Sequence, residues 1–341
     1  MERSANREFI AKVESLVKPL DVTAISFLGD SLRILPRSLQ RSMMEKGRGT
    51  VPYMGFIVDP YCFFLSYRIK DEAAAASLLP KEYELLPTSL FDGDPTRPSA
   101  ILSVFTARTS AFIGTRMELY LIARRKSDGS PAWIIVDYAT NTNSYDPAKG
   151  FCGYDSDPAV FSMSPYGELL VDMAKRAEDE RPAERLSLLA DISKGSMRAL
   201  DRTLWVEGNL LVDYGGARHD TSSKAFSLIF DPYLMKEALD LPPAAVEIAD
   251  NSFLAGILDT ESPPHCACFP YSQHFVIRQD LDAGVIKNEA DLERHIAAFL
   301  ADRDFKTIKG SDLKKPILMG MLASGLFTWG LVIFLLIKVL A

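Results

Sequence analysis

Cysteine, histidine and tryptophan are scarce in this chain, at four, four and three among 341 residues. Four cysteines are too few and too scattered for a disulfide framework, and they read as reduced thiols, with Cys62 and Cys152 in apolar surroundings that suit small buried side chains. His265, Cys266 and Cys268, with His274 further on, are the nearest approach to a metal-ligand cluster. Zinc sites favour Cys-x2-Cys or His-x3-His spacing, so the cysteines read as packed side chains and no metal or other cofactor is expected. No glycine-rich phosphate loop, Gly-x-Ser-x-Gly elbow or His-Glu-x-x-His motif occurs, which counts against nucleotide hydrolases, serine hydrolases and zinc proteases. The formal charge of -7 is spread along the chain without a basic stripe, so nucleic acid is not an expected partner. No internal repeat is found. Glu2, Arg3, Arg7 and Glu14 interrupt the first stretch where a secretory signal would need an apolar run.

Residues 317–337, ILMGMLASGLFTWGLVIFLLI, carry no charge. At about 1.5 Å per helical residue such a run covers the roughly 30 Å hydrocarbon core of a bilayer. The expectation is therefore a transmembrane tail anchor over 316–338. Lys306, Lys309, Lys314 and Lys315 precede it and only Lys338 follows among charged residues, so the positive-inside bias places a large N-terminal domain in the cytosol on a single-pass membrane protein.

Ahead of it, residues 5–20 place Phe9, Ile10, Val13, Leu16, Val17 and Leu20 on one helical stripe, which either covers the main domain or lies on a membrane surface. From Val51 onward short runs rich in aromatic and β-branched residues, YMGFIV, YCFFLSYRI, AILSVFTA, MELYLIA and AWIIVDYA, predict strands. A short helix starting at Asp71 and stopped by Pro80 interrupts them, and Lys126 to Pro131, KSDGSP, predicts a hairpin turn. Residues 164–200 place Leu169, Leu170, Met173 and Ala177 at helical spacing, and predict two helices. LWVEGNLLVDYGGARHD and KAFSLIFDPYL then predict further strands, and 289–300 a last amphipathic helix. The implied organisation is an N-terminal helical segment over 1–50, a β domain over 51–285 with a helical insertion at about 164–200, a helix and basic linker over 286–315, and the anchor.

The stretch YCFFLSYRIKDEAAAASLLPKEYEL, residues 61–85, resembles the opening of the acetoacetate decarboxylase superfamily, and TARTSAFIGTRMELYLIA resembles that family's next strand pair, in which a glutamate faces the cavity; Glu118 falls on it. TLWVEGNLLVDYGGAR resembles a later strand pair. The resemblance covers 50–280 in patches. It implies an α+β fold whose main part is an antiparallel closed β-barrel with flanking helices, enclosing a small apolar carbonyl or polyketide-like compound. The family's decarboxylases use a lysine Schiff base whose amine is kept neutral by a neighbouring cation. The corresponding stretch here is Gly153-Tyr154-Asp155-Ser156-Asp157-Pro158, without lysine, and the nearest lysine, Lys149, sits in a turn. A lyase or isomerase chemistry without a Schiff base is the expectation, and the alternative is a barrel that only binds an apolar ligand.

Glu118 is the candidate acid or base, with Asp155 and Asp157 beside it; Arg116, Tyr120, Tyr154, Tyr67 and Arg68 are candidate ligand-binding residues. Arg116, Glu118 and Tyr120 are spaced at period two and must share one face of a strand. Either that face lines the cavity, where desolvation raises the glutamate pKa and Arg116 opposes the rise, or it is the wet outside while Met117, Leu119 and Leu121 pack inward.

Overall fold

The computed structural model describes residues 2–50, 53–109, 113–142, 144–146, 150–152, 157–175, 183–215, 225–254, 256–278, 286–303, 325–326, 328–330, 332–334 and 338. Three helices open the chain, α1 (Glu2–Leu16), α2 (Pro19–Leu32) and α3 (Arg37–Thr50). Pro19 begins the second helix, as suits a residue that needs no amide partner there. Strands β1 (Tyr53–Val58) and β2 (Cys62–Arg68) follow, then helix α4 (Glu72–Ser77), β3 (Tyr83–Leu85), β4 (Ser99–Thr109), β5 (Ile113–Arg125) and β6 (Pro131–Thr140). Asp71 caps α4 by accepting the Ala74 N–H at 2.9 Å, and Gly129, at φ 72°, turns the β5–β6 hairpin.

The chain continues through β7 (Ser144–Asp146), β8 (Gly150–Cys152), β9 (Ala159–Met163), β10 (Glu168–Lys175), β11 (Glu184–Asp191) and β12 (Ser196–Ala199). Where they are described, the helices predicted over 164–200 are thus strands apart from a 3₁₀ turn at Ile192–Lys194. Along β10, Leu169, Val171 and Met173 are buried while Leu170 is exposed, so the controlling period is two. The reverse error affects the stretch after β12. Residues Thr203–Glu207 form a π-helix and Gly208–Leu210 a 3₁₀ turn, leaving only the two-residue β13 (Val212–Asp213) of the predicted strand. The remaining elements are β14 (Leu228–Ile229), β15 (Glu237–Leu241), β16 (Val246–Asn251), β17 (His265–Phe269), β18 (Gln273–Arg278) and α5 (Glu289–Ala301).

Twelve strands make the main sheet, in the order β12-β15-β17-β2-β4-β1-β18-β14, with β5 and β6 branching from β4, β3 beside β5 and β13 parallel to β6. The expected closed barrel is not formed: among the described residues the order ends on β12 and β14, which do not pair with each other. The fold is a mixed α+β arrangement of large sheets. Beside β6, the backbone of 203–210 coils into helical turns, and among the described residues only β13 pairs with that strand on the side away from β5.

A four-stranded sheet, β16-β11-β10-β9, covers one face of the main sheet. Leu169, Val171, Met173, Leu186 and Leu188 from it share a core with Met117, Leu119, Leu121, Ile134 and Val136. The other face is aromatic, with Phe64, Phe105, Tyr120, Trp133 and Tyr138 packed together with Leu204 and Trp205 of the π-helix. Helix α1 packs on β1, where a side chain at Gly55 would meet Val17 Cγ2 at 2.7 Å. Its Lys12 ammonium donates to the carbonyls of Phe299, Leu300 and Asp302, satisfying the end of α5.

The expected membrane anchor is likewise corrected. Among the described residues no helix is long and apolar enough to cross a membrane, and with that the single-pass, cytosol-facing placement loses its basis. Of the run over 316–338, residues other than 325–326, 328–330, 332–334 and 338 lie outside the described ones.

Cys62, Cys266 and Cys268 are buried free thiols. Burial pushes all three upward, Cys268 to about 12, so little thiolate exists at pH 8. In a Cys152→Ser protein, an aromatic disulfide reagent at pH 8 is expected to find no fast-reacting thiol until denaturant is added, whereupon the three cysteines react. Stoichiometric labelling of the native protein would contradict this packing.

Candidate functional site

Strand β5 runs between β4 and β6, and both of its faces are out of water, one in the aromatic cluster and the other against the second sheet. Arg116, Glu118 and Tyr120 point to the aromatic face and are 7%, 7% and 8% exposed. Both alternatives for the strand's orientation are therefore partly realised: Met117, Leu119 and Leu121 are also buried, against the second sheet. The registers explain the neighbours. Glu118 stands opposite Ser103 on β4 and Tyr138 on β6, and Arg116 stands opposite Phe105 and Thr140.

The three side chains form one unit. Arg116 donates from Nε at 2.7 Å and from Nη2 at 2.6 Å to Oε1 of Glu118, while the Tyr120 hydroxyl donates to Oε2. The Arg116 guanidinium carbon lies 4.9 Å from the centre of the Tyr138 ring, a cation–π geometry. Burial by itself works against the Arg116 charge, but Glu118, Tyr214 and Tyr138 outweigh it and hold the guanidinium firmly protonated. Burial, reinforced by Glu118, pushes the Tyr120 phenol well up; burial also raises Tyr214, with Arg116 opposing. Both phenols keep their protons at neutral pH.

A β-bulge sits beside this unit. The register slips between Leu119 and Tyr120, which face Asp137 and Ile135 respectively, so Val136 is the extra residue. The slip leaves Tyr138 toward Arg116 while Asp137 turns to the opposite side. There Lys175 of β10 donates to both Asp137 oxygens, at 2.6 and 2.5 Å, and lies 3.5 Å from Glu184. Asp137 also accepts the Tyr138 amide at 2.8 Å.

An aromatic plug fills the face next to Tyr120. Trp133 lies 4.8 Å from the Tyr120 ring and 5.5 Å from Trp205, and Trp205 meets Phe64 at 4.8 Å and Phe269 at 5.0 Å. Both indoles are anchored: Trp205 Nε1 donates to the Leu90 carbonyl and Trp133 Nε1 to that of Leu204.

The other predicted site residues are not gathered here. Asp157 is buried and accepts the Thr140 amide at 3.0 Å, bracing the end of β6. Tyr154 and Asp155, together with Lys149, lie outside the described residues. Tyr67 is buried on the opposite face, and Arg68 is exposed. Tyr138, Trp133 and Trp205 were not singled out from sequence, because cross-strand pairing and the π-helix bring them in. His265 bonds Asp240 at 3.0 Å instead of forming a metal cluster with the cysteines, and among the described residues no group of three or more candidate ligands could hold a metal.

No family model and no curated protein matches the chain. In structure it is similar to acetoacetate decarboxylase-like enzymes. One is such an enzyme from Sphingomonas wittichii RW1, at 12% identity, a TM-score of 0.39, and coverage of 66% of this chain and 91% of that one. Another is acetoacetate decarboxylase from Legionella pneumophila, at 12% identity, a TM-score of 0.42, and coverage of 66% and 84%. Likeness at this level carries no information about individual residues or chemistry.

Proposed function

We propose that the protein binds a small apolar carbonyl compound by one of its oxygens at the Arg116–Glu118–Tyr120 unit, and that any reaction there needs no Schiff base. The observation that carries this reading is the burial, on an aromatic face, of a charged unit in which both Glu118 oxygens are committed while Arg116 keeps donors to spare. A buried ion pair adds little to stability compared with apolar residues of the same size, so this one is read as a polar anchor for a ligand. A guanidinium has five N–H groups; Glu118 takes two of them and the Tyr214 hydroxyl is a further partner. The remainder can meet a ligand oxygen in a setting of low dielectric, where such bonds are strong.

Binding is favoured over base catalysis because both Glu118 oxygens are already committed. Among the described residues no amine stands at this unit for Schiff-base chemistry: the buried lysine is Lys175, on the far side of the sheet and paired with Asp137. If a reaction occurs, the Tyr120 phenol is the group with a proton to give, and Asp155 or Asp157 would be the further acids to examine.

Trp133 and Trp205 supply the readout. Titration of the folded protein with a panel of small ketones, diketones and lactones is expected to give saturable changes in tryptophan fluorescence. Arg116→Lys keeps the charge beside Glu118 but loses the planar fork, and should weaken binding by about tenfold, the equivalent of one good hydrogen bond to a charged group. Borohydride added with acetoacetate should trap no adduct. A panel without a single saturable response, or a lysine variant that binds as tightly as the parent, would remove the proposal.

A further inference from the structure

We infer that the site selects uncharged compounds, a ketone, ester or lactone in preference to a carboxylic acid, and that Glu118 is the residue that imposes this choice. The inference rests on the binding proposal above and deepens it. Its starting point is the charge of the unit. Arg116 and Glu118 are in direct contact, and the phenols of Tyr120 and Tyr214 retain their protons, so these four side chains sum to zero. Glu118 is the charged partner of Arg116, with the Tyr138 and Tyr214 rings beside it, and none of the three is a second cation.

Among the described residues, the register row through Glu118 carries no spare positive charge. It crosses the face through Asp240, Ala267, Phe64, Ser103, Glu118 and Tyr138. At the far edge of that row Arg198 donates to Asp240 at 2.6 Å and to Asp94 at 2.9 Å, and His265 bonds the same Asp240 at 3.0 Å. This second cluster is also spent on its own acids, with the aromatic plug between it and Arg116. A ligand carboxylate brought to Arg116 would therefore add an unbalanced buried charge within reach of Glu118, and would have to share the guanidinium with it. A neutral carbonyl oxygen accepts the same N–H groups without that penalty. Removing the Glu118 charge frees Arg116 to act as an anion site, so the choice is reversible by one substitution.

The test uses three matched probes, 2,4-pentanedione, methyl acetoacetate and acetoacetate, the last differing from the first by an anionic oxygen in place of a methyl group. At pH 7 the full-length protein should bind the two neutral probes at least about 100-fold more tightly than acetoacetate, a ratio worth about 2.7 kcal/mol. In Glu118→Gln, with its fold checked by thermal melting, the affinity ratio of acetoacetate to 2,4-pentanedione should rise at least about tenfold, whatever the change in absolute affinity for the diketone. Equal affinity of the parent protein for the diketone and the acid overturns the inference, whether or not the glutamine variant folds. A folded variant with an unchanged ratio overturns the role of Glu118. Failure of all three probes together with the wider panel defeats the binding proposal itself, a result distinct from loss of discrimination.

Discussion

Replacing Asp137 by alanine is expected to cost about 3–5 kcal/mol of stability, because it leaves the Lys175 ammonium buried between two sheets without its partner. Lys175 and Asp137 are 7% and 8% exposed, and Glu184 is more distant than Asp137 from the ammonium. The loss should appear as a lower urea midpoint with an unchanged slope. A double variant, Asp137→Leu with Lys175→Met, should recover most of it, since paired apolar residues of similar volume commonly replace a buried ion pair without penalty. The single change also removes the acceptor of the Tyr138 amide, so ligand binding at Arg116 should weaken further than the fall in folded fraction explains. An alanine variant within about 1 kcal/mol of the parent would mean that water reaches the pair after all.

Trp205→Ala should be comparably costly, at about 3–5 kcal/mol, for an apolar reason. Its indole is 1% exposed, touches Phe64, Trp133 and Phe269, and donates to the Leu90 carbonyl at 2.7 Å. Truncation opens a cavity in the middle of the plug and leaves that carbonyl unpaired. Trp205→Phe keeps most of the contact area and should lose roughly 1–3 kcal/mol, within the usual penalty for an unsatisfied buried acceptor. Chemical denaturation followed by far-ultraviolet circular dichroism separates these values without relying on the tryptophan signal. If alanine and phenylalanine behave alike, the ring contacts are not what holds the π-helix on the sheet.

Features that depend on a few neighbouring residues were legible from sequence. The capped helix at Asp71, the Asp128-Gly129 hairpin and the helix starting after Asn288 all appear where local patterns place them. The strands from Tyr53 to Thr140 also follow from their alternating or continuously apolar runs. Residues 164–175 misled because Leu169, Leu170 and Met173 fit both a helical and an extended spacing. What favours the strand is a partner: β10 pairs with β9 and β11, and β11 comes later in the chain. LWVEGNLL misled in the opposite direction, since it reads as a strand but coils and places its tryptophan in the Phe64–Trp133–Phe269 cluster.

The site divides along the same line. Period-two geometry, dictated by the pleat, put Arg116, Glu118 and Tyr120 on one face from the sequence alone, and the missing lysine in 153–158 already argued against a Schiff base. Whether that face was wet or buried was open, because each face of β5 carries enough apolar neighbours to be covered. Tertiary structure covered both, the aromatic plug on one side and the second sheet on the other. It also joined Asp137 to Lys175 across 38 residues and turned Tyr138 under Arg116 through a bulge, relations set by register between distant strands. Dihedral preferences and side-chain alternation act over a few residues, so sequence determined which side chains travel together. Burial, charge pairing and the neutrality of the site depend on what packs from elsewhere in the chain, and only the fold decided those.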